Sequence, residues 1–273
     1  MLYFIGQVLP YIAGGIFLVG VAYRVMGWLR VPVPFQLTLF PAPKDGAGQV
    51  ATVAAELVFF RSLYHGDKSL WLGSWLMHAS LALVLGGHVL GIYYLMNQFT
   101  LVGLSPEVSQ QLSKVFGTSA GIVLMATIVY LLYRRTAIAE VKRLSDPADF
   151  FDLLLLLSVV ITGNHMRLTT IHVDLPAIKA YLGGLLTFHP VPIPENWVFI
   201  SHFVLVNLLL IYFPFSKLIH VAGFFVNRAM LVGAPPKYPT PPGTRLRSPF
   251  AAPGQSFGSA VALPPGTQRG VQG

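Results

Sequence analysis

Long uninterrupted apolar stretches, not a regular alternation of apolar and polar positions, dominate this chain. Five of them, at roughly 2–29, 70–97, 118–133, 150–163 and 197–227, approach or exceed the length that crosses a bilayer, about 20 helical residues for about 30 Å of hydrocarbon. Hydrocarbon offers no water to satisfy backbone N–H and C=O groups, so such segments are predicted to be helices. The third and fourth are short and are expected to extend a few residues each way. The fourth, with its leucine run at 153–157, has a buried or re-entrant segment as its alternative reading. The pattern predicts an all-α polytopic membrane protein, a five-helix transmembrane bundle over residues 1–230. The remainder, 231–273, is rich in Pro, Gly and Ser and cannot build a core, so it is expected to be disordered or held by a partner.

Composition agrees. Only 10% of the 273 residues are charged and the mean hydropathy is +0.66, whereas a soluble domain carries about a quarter charged residues. Lipid must therefore be the main solvent. The chain turns apolar at residue 2 with no basic residue ahead of it. The stretch is too long for a signal-peptide core, and Ala13-Gly14-Gly15 falls in its middle, which predicts a retained first span. Cysteine is absent. That excludes disulfides, cysteine-ligated iron–sulfur clusters and covalently attached c-type haem, so any redox group must use other ligands.

The basic residues set a topology. Thirteen of them, including Arg30, Arg61, Lys68, Arg134, Arg135, Lys142 and Arg143, fall before the second span, between the third and fourth, or in the tail. Only Lys114, Arg167 and Lys179 fall in the other two loops. Positive charge stays on the cytoplasmic side, which places the N-terminus outside and the C-terminus in the cytoplasm. The net charge of +8 then reflects topology and lipid headgroups, not nucleic acid. After the prolines at 32, 34, 41 and 43, residues 51–60 are expected to form a short interfacial helix.

Four of the eight histidines lie inside two spans, His78 and His88 in the second, His202 and His220 in the fifth. Ionisable groups in a membrane are costly and mark function by default. The second span runs outward and the fifth runs back. Antiparallel neighbours would therefore set His78 opposite His220 on the inner side and His88 opposite His202 on the outer side. Two imidazoles can fill both axial positions of a haem iron, an arrangement that suits electron transfer. The two spacings disagree: 10 residues rise about 15 Å in a helix and 18 residues about 27 Å. Tilt, or a kink at Pro214, is expected to absorb the difference. Gly86 and Gly87 would let a flat ligand approach the backbone. From another class, the histidines would line a metal or proton transport pathway, but such pathways recruit carboxylates, and the spans as drawn hold none in their interiors, Asp152 lying at an end. A structural subunit that anchors soluble partners is a third reading.

Several segments carry a resemblance. Tyr11-Ile12-Ala13-Gly14, Gly87-His88 followed by Gly91, and Phe213-Pro214-Phe215-Ser216-Lys217-Leu218-Ile219-His220 resemble the gamma subunit of respiratory nitrate reductase. With both histidine spacings, they also resemble the membrane subunit of the DsrMKJOP sulfite-reduction complex. The resemblance covers about residues 5–227. It implies a dihaem cytochrome b of a prokaryotic plasma (inner) membrane that takes electrons from a quinol, menaquinol or ubiquinol, near an outer haem held by His88 and His202. An inner haem held by His78 and His220 would pass them to a cytoplasmic iron–sulfur subunit, with a further catalytic subunit beyond. Phe60-Arg61-Ser62-Leu63, Trp71-Leu72-Gly73-Ser74-Trp75 and Lys217 with Val221-Ala222-Gly223 lean toward the sulfite-reduction or heterodisulfide-reductase-linked type. Gly87-His88-Val89-Leu90-Gly91 leans toward the nitrate enzyme, the alternative.

Other polar residues are candidates. His165, Arg167, His172 and His189 lie in or beside the loop before the fifth span, where they are suited to place a quinone head group or take its protons. Lys217 is placed to meet an anionic haem substituent or to snorkel to the headgroups. Arg61, His65 and Lys68 face a partner subunit or lipid phosphate. Tyr11, Tyr93 and Tyr94 read as interfacial belt residues.

Overall fold

The structure, a computed structural model, describes residues 1–30, 45–169 and 174–231, and among these every regular element is helical. A π-helical turn Phe4–Val8 leads into α1 (Leu9–Arg30). Then follow α2 (Gly46–Phe59), α3 (Arg61–Gly66) and α4 (Lys68–Tyr94). After them come α5 (Pro106–Ala137), α6 (Ala139–Leu144), α7 (Pro147–Leu168), α8 (Leu175–Leu186), α9 (Trp197–Tyr212) and α10 (His220–Leu231). Five are long and apolar enough to cross a membrane: Phe4–Arg30, Lys68–Gly91, Pro106–Ala137, Pro147–Leu168 and Trp197–Phe215. The prolines expected at 32–43 and the tail from 232 lie outside the described residues.

The span starts are written in the sequence. Asp67 caps α4 by accepting from Ser69 and Leu70 N–H, Ser105 caps α5 ahead of Pro106, and Asn196 caps α9. Asp146 and Asp149 form a reciprocal capping box ahead of α7. Each satisfies backbone donors that the first turn leaves free. These caps set α5 and α7 at 32 and 22 residues, longer than their apolar cores. The fourth span is therefore a full crossing helix, not a re-entrant one.

The chain divides into two compact units, Met1–Tyr23 with Ala55–His220, and Arg24–Ala54 with Val221–Gly273. In the smaller, Arg24 lies over the Trp28 ring, and Gly223 lies against the same indole. In the larger, α4 packs on α5, α5 on α7 and α7 on α9. Leu124, Ile128 and Leu153 form the buried centre of that layer, flanked by Met77, Leu81 and Val84. A second core gathers Ile178, Tyr181, Leu185, Ile193 and Phe199 around α8. There Tyr181, fully buried, donates its hydroxyl to the Gly6 carbonyl at 2.6 Å. Helix α8, at 12 residues, is too short to span, and its hydropathy does not separate it from the loop before the fifth span. Tyr11, expected in an interfacial belt, bonds to the Leu185 carbonyl at 3.0 Å and stacks on Phe188.

One expectation requires correction. The fifth apolar stretch is not one helix to residue 227, because α9 stops at Tyr212. Pro214 has no N–H to donate and its ring crowds the carbonyl one turn back, so the chain passes through two 3₁₀ turns before α10 begins at His220. The fourth span also starts earlier than its apolar stretch. Its capping box moves the start to Pro147, which brings Asp149 inside it beside Asp152, both buried near that end.

Candidate functional site

The four span histidines meet in two pairs. His78 and His220 stand 5.8 Å apart between ring centres with planes at 80°. His88 and His202 stand 6.3 Å apart with planes at 19°. Helices α4 and α9 are not among the closely packed pairs of helices, so the imidazoles reach across the space between them. The two pairs are those expected from antiparallel spans.

Continuous α4 carries His78 and His88. The other two sit on either side of the break, and this resolves the mismatch in spacing, since the chain from His202 to His220 is not a straight helical rise. Each residue of the break has a task. Pro214 ends the helix. Ser216 donates its hydroxyl to the Phe213 carbonyl at 3.0 Å and accepts the Leu218 N–H at 3.1 Å, which restarts the turn. The Lys217 carbonyl then takes the Nδ1–H of His220 at 2.9 Å.

All four rings are held the same way. Nδ1 of His78 lies 2.8 Å from the Ser74 carbonyl, that of His88 2.7 Å from Val84, and that of His202 3.0 Å from Val159. A carbonyl only accepts, so Nδ1 carries the proton at every position and Nε2 keeps its lone pair. This is the tautomer, with the same kind of second partner, that metal-bound histidines use.

The donor set also says what would be bound. A bond from imidazole nitrogen to a transition metal is about 2 Å, so an ion clasped between two imidazoles sets their centres roughly 6 Å apart. Both pairs fit that distance. Among the described residues no group of three or more His, Cys, Asp or Glu could hold a metal ion. Two ligands are too few for a bare structural ion, which takes four, but they complete an iron whose other four positions belong to a macrocycle. Beside His88, a Cβ added at Gly86, Gly87 or Gly91 would meet nothing within 4 Å. Leu83, Leu85, Val89 and Leu90 are exposed there as well. Bare backbone and apolar side chains beside the imidazoles suit a flat apolar ligand.

Around His78 the structure adds an aromatic contact that the sequence does not signal. Phe60 adopts a left-handed backbone, φ 49°, and its ring meets His78 edge-on at 5.1 Å. Such a conformation costs a bulky residue about 1–3 kcal/mol, so the surroundings must hold it. Trp71 donates its indole N–H to the Phe59 carbonyl at 2.7 Å, and Trp75 donates to Val58 at 2.8 Å. These two bonds pin the turn.

Lys217 is held by two carboxylates. Its Nζ lies 2.7 Å from Asp146 Oδ2 and 2.8 Å from Asp149 Oδ1, and Arg135 reaches Asp149 at 3.3 Å. The hydrogen bonds from Lys217, then from the Asp149 backbone, hold the Asp146 carboxyl below the usual carboxylate range. The same two carboxylates, Asp146 first, raise the Lys217 ammonium. At the start of α4, Arg134 grips Asp67 at 2.7 Å and bonds to Ser69. The Leu70 N–H, the Ser69 hydroxyl and Arg134 together lower the Asp67 carboxyl.

Among the described quinone candidates, His165 and Arg167 lie in the last turn of α7, beside the loop before the fifth span. His165 packs edge-on against Trp197 at 5.6 Å, while Arg167 lies over Gly117 and donates to the Ser113 carbonyl at 3.4 Å. His189 is exposed, with Nδ1 on the Thr187 carbonyl at 2.7 Å. His172 lies outside the described residues. Tyr93 packs against Tyr94, and Lys179 lies over its ring.

Known proteins match this architecture. The family model for the nitrate reductase gamma subunit matches residues 61–232, the stretch that holds all four histidines. An Hdr-like menaquinol oxidoreductase cytochrome b-like subunit of Archaeoglobus fulgidus is 33% identical, over 81% of this chain and 77% of its own length. Its counterpart in Archaeoglobus profundus is 27% identical over 82% and 77%. A nitrate reductase gamma chain of Bacillus subtilis is 30% identical over 56% of this chain and 72% of its own.

Proposed function

Because the chain belongs to the nitrate reductase gamma subunit family, we propose that it is the dihaem cytochrome b subunit of a membrane quinol oxidoreductase. The observation that carries this reading is the double pair of imidazoles, each with Nδ1 fixed on a carbonyl and Nε2 free. His88 and His202 would hold the outer haem, and His78 and His220 the inner one. Bound between two imidazoles, each haem supplies a one-electron couple with no open coordination position.

The chain's own residues do the rest. Helix α4 holds one ligand of each pair at fixed depth. The Pro214 break re-aims His220, and Phe60 covers the edge of His78. The excess of basic residues before α4, between α5 and α7 and in the tail supports an N-terminus outside and a cytoplasmic C-terminus, in the plasma membrane of a prokaryote. Quinol, with menaquinol favoured, would deliver electrons on the outer side and release its protons there. A cytoplasmic iron–sulfur subunit, with a further catalytic subunit, would receive them. The likeness to the heterodisulfide-reductase-type subunits over four-fifths of the chain favours that branch. The nitrate reductase gamma reading keeps the same site with a different partner.

Reduction of the purified chain by a menaquinol analogue tests this. Absorbance bands of reduced b-type haem should appear without added dithionite, in an amount equal to two haems per chain. A protein that purifies without haem, or whose haem the quinol leaves oxidised, contradicts it.

A further inference from the structure

Helix α7 carries none of the four span histidines, yet it holds one of them. His78, His88 and His220 each donate Nδ1–H to a carbonyl three or four residues back in their own segment. His202 alone reaches another helix. Its Nδ1 lies 3.0 Å from the Val159 carbonyl and 2.9 Å from Thr162 Oγ1. The Thr162 hydroxyl hydrogen is directed back onto the Ser158 or Val159 carbonyl, at 3.0 and 2.9 Å. Its oxygen is thereby left to accept from His202. The next residue, Gly163, has no side chain, and a Cβ there would sit 3.3 Å from His202 Cε1. The Cε1–Nδ1 edge of the imidazole thus lies beside bare backbone and meets two acceptors.

A ring bonded within its own helix swings with that helix. A ring whose Nδ1–H is shared between two acceptors on a neighbour has its plane set by the neighbour. The held ring is also the one whose plane lies within 19° of its partner's, against 80° in the other pair. Acceptors on Nδ1–H draw its proton outward and make Nε2 a stronger donor, which favours the oxidised metal.

We infer that Thr162, with Gly163 beside the ring edge, is a positioning residue that fixes the plane of His202 and lowers the redox potential at the His88–His202 site. The inference rests on the bis-imidazole haem reading. Nothing in the hydropathy of the fourth span signals it, since one threonine scarcely changes an apolar stretch.

The test uses the full chain in detergent, with haem content measured first, then redox titration and low-temperature electron paramagnetic resonance. Thr162→Val keeps the shape and removes the acceptor. It should retain two haems, raise the midpoint potential of one and leave the other unmoved. Thr162→Ser should restore the original value, and Gly163→Ala should alter the resonance signal of that same haem. Two haems with unmoved potentials and signals in Thr162→Val would overturn the inference while leaving the haem reading intact. If Thr162→Val loses one haem, retention by Thr162→Ser supports the role of the hydroxyl and loss by both overturns it. A wild-type chain without haem would sink the underlying reading instead.

Discussion

The ammonium of Lys217 sits 2.8 Å from Asp149 Oδ1, and this ion pair ties the break in the fifth span to the start of the fourth. The same lysine accepts His220 on its carbonyl, so the clamp and the ligand share one residue. Lys217→Met should leave His220 in place but loosely held. The protein is expected to lose one of its two haems at a temperature a few degrees lower, whereas Lys217→Arg should behave as wild type. Arg135 still faces the buried Asp149, which keeps the effect moderate. Haem loss followed by absorbance during heating reads it directly.

The clamp also predicts a pH dependence. Asp67 and Asp146 have lowered carboxyls. Their contribution is present above the ordinary carboxylate value of about 4 and fades as pH falls through the lower folded-state values. Lys217 is raised. Its contribution is full below the ordinary lysine value of about 10 and fades as pH climbs through the folded-state value. Thermal stability in detergent should therefore be flat near neutrality and fall at both extremes. Asp146→Asn should make the acid limb shallower.

Pro214 makes the break that presents His220. Pro214→Ala restores an N–H and removes the clash, so α9 can continue as regular helix. His220 would then turn away from His78. One haem of the two should be lost or become a five-coordinate, carbon-monoxide-binding species, while the other keeps its spectrum.

Gly73 lies where α4 crosses α5, and a Cβ there would sit 2.6 Å from the Tyr130 ring. Overpacking of this kind costs about 1–3 kcal/mol. The helix propensity gained by alanine is about 1 kcal/mol. Gly73→Ala should thus lose up to roughly 2 kcal/mol, read as a lower melting temperature with haem spectra unchanged at room temperature.

Much of the architecture was legible because a bilayer enforces it. Helix length, apolar content and loop charge predict five spans, and antiparallel order predicts which histidines meet. What was missed depends on backbone and on single polar atoms. Pro214 was visible as a kink, but hydropathy runs on past it, so a stop and restart at His220 reads as one long helix. The capping box at Asp146 and Asp149 lies outside the apolar window, so hydropathy starts the fourth span after Asp149 and leaves that acid out. Thr162 and Gly163 are ordinary residues in a leucine-rich stretch, and only the approach of His202 from another helix gives them meaning. His165 and Arg167 read as lying in or beside a loop because charge at a span end resembles a loop; the helix continues to Leu168, so both sit beside it.

Binding of two haems, each between one histidine of α4 and one from the fifth span, is read by a pyridine haemochrome assay, with redox titration, on four single His→Ala proteins. Two haems are expected in the wild type and one in each variant. The surviving haem should be the same for His88→Ala and His202→Ala, and the other one for His78→Ala and His220→Ala. A variant that keeps both haems with unchanged spectra, or partners that lose different haems, would contradict it.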